Sequence, residues 1–133
     1  AKTIENLLKP QGQAVLTFVN KWYLREIIVQ LIKMNFKQAF ARVRKIWGGY
    51  SPESYLPSRC YSPRQVRRSF RNLQLIEKQG YSIFFPAWYN FKKALGNPAR
   101  LDRLWRLDKK LQKTCLWSKG EYTLFVFRKN DED

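Results

Sequence analysis

The sequence contains no histidine, and its acids are few: 10 Asp and Glu stand against 26 Lys and Arg. Without histidine the chain lacks the side chain most used as a general base near neutral pH, and the commonest nitrogen ligand for metals. Three of the acids close the chain as Asp131, Glu132 and Asp133. The others, Glu5, Glu26, Glu53, Glu77, Asp102, Asp108 and Glu121, are scattered. None stands in the close pairing that separates two carboxyl pKa values for acid and base work. No Gly-rich phosphate loop and no nucleophile elbow occurs. Self-sufficient catalysis by these 133 residues is therefore not expected.

Cysteine is scarce as well. Cys60 and Cys115 form neither a metal-type spacing nor a disulfide framework, and they suit a reducing compartment. No apolar run approaches the roughly 18 residues that span a bilayer. The first residues lack the charged, apolar and small-residue order of a secretion signal. A cytoplasmic protein, at most peripheral at a membrane, is the expectation.

What is present is a core former with a strong charge. The chain is 44% hydrophobic and 16% aromatic, and its length suits one modest domain. The formal net charge of +16 favours anionic partners: nucleic acid, phosphorylated small molecules or acidic lipid headgroups. A well-solvated basic surface with no partner is the plainer alternative.

Along the chain, Thr3–Leu8 reads as the last turns of a helix closed by Pro10 and Gly12. Ala14–Val19 is an almost unbroken apolar run of strand length, the pattern of a central strand buried on both faces. Trp22–Trp47 carries apolar residues at helical spacing, with a slip near Met34-Asn35 that leaves two helices or one kinked helix open. Gly48-Gly49 ends it, and Tyr50–Cys60 reads as an ordered loop. Ser62-Pro63-Arg64-Gln65 is a helix start, with Ser62 as N-cap and Gln65 closing a capping box. That helix is expected to bury Val66, Phe70, Leu73 and Ile76 and to stop at Gly80. Tyr81–Phe85 then reads as a strand, and Trp88–Asn97 as an aromatic linker. Pro98–Lys113 is a further helix with Leu101, Leu104, Trp105 and Leu111 on one side and a basic opposite face. Glu121–Arg128 is the last strand. The alternation is that of an α/β fold.

Three segments carry a resemblance. "LLKPQGQAVLTFVN" resembles the helix end, turn and fifth strand of class I S-adenosylmethionine-dependent methyltransferases, with Leu8, Lys9, Pro10 and Gly12 fitting and Gln11 in place of a glycine. "RCYSPRQVRRSFRNLQLIEKQGYSI" is similar to the family's Tyr-Ser/Thr-Pro helix start, basic helix and entry to the sixth strand. "YTLFVFRK" is similar to its seventh. The resemblance implies a partial Rossmann-like methyltransferase sheet holding strands 5, 7 and 6 in that spatial order, with the last strand antiparallel. It implies a single partial domain over 1–133, the C-terminal portion of a longer methyltransferase, with a helical lid insertion over 22–60. The S-adenosylmethionine motifs would lie upstream of residue 1, and the fragment alone would be inactive.

On that reading the second half of the fold binds the methyl acceptor, a small molecule that is lipid-like or glycosylated. The candidate acceptor residues are Asn20, Lys21, Trp22 and Tyr23 after the first strand, with Arg59 and Tyr61 at the pocket mouth. Asn20 would position the acceptor by hydrogen bonding, and Trp22 and Tyr23 would form a wall. The plainer alternative makes Asn20 a helix N-cap and Trp22 a core residue. The rival function is a small basic module that binds RNA or an anionic membrane, motivated by Trp and Tyr interleaved with Arg and Lys. A third possibility is a dimer that pairs the Ala14–Val19 strand edge with another chain.

Overall fold

The computed structural model describes residues 1–43, 47–48, 57–86 and 96–130, with backbone alone at 47–48 and 57–58. Helix α1 (Lys2–Leu7) stops where Leu8 turns extended. A tight turn follows, with Gln11 in the left-handed region at φ 59°. The Gly12 N–H donates to Lys9 O at 2.8 Å, and a Cβ at Gly12 would lie 2.7 Å from that same oxygen. This turn launches β1 (Gln13–Val19).

The chain then enters α2 (Leu24–Ile32) and the short α3 (Phe36–Ala39), capped by Asn35, whose Oδ1 accepts from Gln38 N at 3.2 Å. The slip expected near Met34-Asn35 is a real break, with Met34 at φ 57°. A 3₁₀ turn over Ala41–Val43 follows. Trp47, expected at the end of a helix, lies instead in a two-residue strand, β2 (Trp47–Gly48), paired with β3 (Pro57–Ser58). Most of the expected 50–60 loop, the aromatic linker up to residue 95 and the acidic stub lie outside the described residues.

Helix α4 (Pro63–Ser69) begins with the expected capping box: Gln65 N donates to Ser62 Oγ, and Ser62 N donates to the Gln65 side chain. It is shorter than expected. The chain reverses through Phe70–Leu73 and becomes β4 (Gln74–Tyr81), whereas the helical spacing had placed Ile76 on a helix ending at Gly80. The reason is a β-bulge. Leu75 pairs with Phe127, but the next registered pair is Glu77 with Val126. The extra residue shifts parity, so Leu75 and Lys78, three apart, both stand opposite buried phenylalanines. Such spacing imitates a helix, and pairing with the neighbouring strand outweighs local propensity. The expected strand over Tyr81–Phe85 is correspondingly the end of β4 plus a bend.

Helix α5 (Pro98–Leu111) is capped by Asn97, whose Oδ1 accepts from Arg100 N at 3.0 Å. A 3₁₀ turn over Cys115–Lys119 leads into β5 (Tyr122–Arg128). The main sheet has the order β1-β5-β4, with β5 antiparallel to both neighbours. β1 and β4 therefore run parallel to each other on either side of it.

One face of this sheet is sealed. Phe125 and Phe127 form the core with Val66, Phe70 and Leu73, and Ile4, Leu8, Leu16, Phe18, Leu75 and Trp117 pack around them. The Phe70 and Phe127 rings stack at 5.1 Å. The other face is open, which corrects the expectation of a doubly buried first strand. Val15 is 64% exposed, and burial along β1 alternates. At the edge of the sheet, β1 pairs along its length with β5 alone among the described residues, which leaves its other edge without a partner strand there. Among the described residues no helix is long and apolar enough to cross a membrane.

Candidate functional site

The C-terminal end of β1, the C-terminal end of β4 and the start of β5 share one rim, since Val19 and Tyr81 both pair with Tyr122. Asn20 organises that rim. It is fully buried, and its Nδ2 donates to Ser118 O at 2.7 Å and Gly120 O at 2.9 Å. Its Oδ1 accepts from Trp22 N at 3.0 Å. On the outer edge, Tyr61 N donates to Val19 O at 3.0 Å and Lys21 N donates to Tyr61 O at 3.1 Å. A single side chain and the backbone beside it thus tie together the three segments 20–22, 61–62 and 118–120.

Those segments wall a cleft of about 660 Å³ lined by Trp22, Ser62, Arg64, Arg67, Trp117 and Lys119, among others. Trp117 is held edge-on by Phe125 at 5.8 Å, with Lys78 Nζ 4.9 Å over its ring. The strand end passes very near: a Cβ at Gly80 would lie 2.0 Å from Trp117 O, so only glycine fits there.

Of the six residues singled out from the sequence, Trp22 lines the cleft, 40% exposed. Asn20 commits its side chain to the three hydrogen bonds above, and it is not the N-cap of α2, a position Tyr23 holds. Tyr23 is buried, and its hydroxyl donates to Phe85 O at 3.2 Å. Burial pushes its phenol well above the ordinary value, and the Glu121 carboxylate adds to that. Tyr61 is partly exposed, its ring edge-on to Phe18 at 5.9 Å. Lys21 is half-buried and Arg59 exposed, and neither lines the cleft.

Three acids were read as scattered and are in fact knitted into the fold. Arg42 is buried with its Nε 2.6 Å from Glu26 Oε2 and its Nη2 3.3 Å from Glu121 Oε1. Its guanidinium lies 4.9 Å from the Tyr23 ring centroid. This cluster ties the helical 22–43 segment to the start of β5. Burial raises the nearby Cys60 thiol above its usual range, which disfavours a reactive thiolate. The Asp108 carboxylate accepts from Ile83 N at 2.9 Å, Phe84 N at 2.7 Å and Phe85 N at 3.2 Å, fixing the bend after β4.

A second groove of about 320 Å³ runs between α2 and α5, with Arg25, Lys33 and Arg100 along Val29, Leu101 and Leu104. Among the described residues no cluster of acids or cysteines has the geometry to hold a metal ion. The residues that reasoning from sequence missed are Trp117, Lys119, Arg64 and Arg67. The arginines read only as a basic helix face, and Trp117 sits in a stretch with no periodic pattern. No family model matches this chain, and no curated protein is similar to it in sequence.

Proposed function

We propose that this chain is the C-terminal, acceptor-binding portion of a class I S-adenosylmethionine-dependent methyltransferase, its three strands belonging to a larger Rossmann-like sheet. One observation carries the reading: β1, β5 and β4 have the spatial order and directions that the resemblance implies for strands five, seven and six, although β4 runs over Gln74–Tyr81 and not over the Tyr81–Phe85 segment read as the sixth strand. The Asn20 rim and its cleft stand at the C-terminal ends of the two parallel strands, where open α/β sheets hold ligands.

In this reading a bound donor would supply an electrophilic methyl group with a neutral thioether as leaving group, and this half would hold the acceptor's lone pair in line with it, the acceptor's proton passing to solvent. The requirement on this half is alignment. The donor would be held by residues preceding Ala1, and the exposed face and edge of β1 would take the neighbouring strand and its helices. Two copies paired along Ala14–Val19 are the alternative occupant of that edge.

The test is to read the gene upstream of Ala1 and to measure S-adenosylmethionine binding by the encoded chain calorimetrically. A strand followed by a Gly-rich turn and saturable donor binding are expected. A chain that binds no donor overturns the assignment, and a concentration-dependent dimer in sedimentation equilibrium assigns the edge to a second copy.

A second reading concerns where the protein works. At the break between α2 and α3, Ile32, Met34 and Phe36 are 77%, 73% and 58% exposed, interleaved with Lys33 and Lys37. An apolar tip collared by cations suits an anionic membrane surface. Sedimentation with vesicles is expected to retain the chain on phosphatidylserine-containing membranes and to release it on adding salt. Retention on pure phosphatidylcholine, or none on either, overturns this.

A further inference from the structure

The cleft beneath the Asn20 rim has a chemistry that no step of methyl transfer requires. It gathers three cations, Arg64, Arg67 and Lys119, with two indoles, Trp22 and Trp117, and no acid lines it. Like charges around a concave wall repel one another and focus a positive potential into it, a cost that an anion relieves. Its volume of about 660 Å³ is that of a small-molecule site. Two of the cations are guanidinium forks, which match phosphate oxygens in pairs.

The indoles add a second requirement. Trp117 is immobilised by Phe125 and by Lys78, and the Trp22 backbone is pinned by Asn20. The Trp22 ring nevertheless stays 40% exposed, beside the fully buried Tyr23. A large aromatic held at the mouth of a basic cleft offers a stacking platform.

We propose that this cleft binds a small molecule carrying a phosphate group next to a planar ring. The phosphate sits among Arg64, Arg67 and Lys119, and the ring lies against Trp22. A lipid headgroup supplies the phosphate without the ring, which separates the two sources. The inference goes beyond the transferase reading and stands without it, because binding is measured with no methyl donor present.

The experiment titrates the 133-residue chain with phenyl phosphate, glycerol 3-phosphate and phenol near physiological ionic strength, following the tryptophan indole N–H signals by NMR. Phenyl phosphate is expected to shift the Trp22 and Trp117 signals saturably and to bind about tenfold more tightly than glycerol 3-phosphate, with phenol weaker still. The Arg64→Ala/Arg67→Ala pair should lose about tenfold in affinity. The Arg103→Ala/Lys110→Ala pair on α5, with the same change of charge, should stay within about twofold. Equal affinity for the two phosphates overturns the ring requirement, and equal losses in the two pairs reduce the site to diffuse charge. If the arginine pair loses signal dispersion, Trp22→Ala decides: the preference for phenyl phosphate should vanish while glycerol 3-phosphate affinity remains. A preference that survives this change overturns the proposal.

Discussion

The two faces of β5 differ at every step along the strand. Thr123, Phe125 and Phe127 are sealed under α1, α4 and Trp117, while Tyr122, Leu124, Val126 and Arg128 are each only half-buried. β1 repeats the contrast, with Ala14 buried and Val15 exposed. All the pairing in this sheet is antiparallel, and such a sheet can leave one face to solvent. Its open face nevertheless carries the apolar side chains Val15, Leu124 and Val126. The difference teaches where the stability of this chain resides: in one layer of packing and a few buried polar ties.

Arg42→Ala should be the most damaging change, about 3–5 kcal/mol, because Glu26 and Glu121 lose the cation buried between them. Urea unfolding followed by tryptophan fluorescence measures it. Phe125→Ala on the sealed face should cost about 3–5 kcal/mol as well, whereas Val126→Ala on the open face should cost under about 1 kcal/mol. Equal costs would mean the open face is already packed. Asp108→Asn should cost about 1–3 kcal/mol, since an amide nitrogen would then face one of the three backbone N–H groups the carboxylate now serves.

The smallest effect is one of pH. The Glu77 carboxyl is held below the usual carboxylate range, first by its hydrogen bond with Lys113 and then by that from Gln79. A depressed carboxyl stabilises the fold above its unfolded pKa, and that contribution is lost as pH falls through the folded one. Both partners are exposed, so the acid-side loss is small. In Glu77→Gln the acid limb of the stability profile should flatten slightly, and a steeper limb would sink the assignment.

Local signals were legible from residues alone. The Lys9–Gly12 turn, the Ser62/Gln65 capping box, the break at Met34 and the last strand each depend on neighbours a few positions apart. β4 was not legible, because its bulge gives Leu75 and Lys78 a helix-like spacing. Asn20 was singled out for the right rim, yet its partners at Ser118 and Gly120 lie 98 and 100 residues away. The scarcity of acids was the one available clue to Arg42 and Asp108. In so basic a chain an interior carboxylate invites a buried partner, though not a nameable one.

Composition and local pattern by themselves determined an α/β chain, strongly basic and without histidine, with its turns, caps and last strand in place. Tertiary structure decided which face of the sheet is closed, where β4 begins, and that Trp22, Arg64, Arg67, Trp117 and Lys119 meet at one cleft. Caps and turns are set by hydrogen bonds within a few residues, so sequence suffices for them. Strand register and the convergence of distant side chains depend on pairings across nearly the whole chain, which no local pattern encodes.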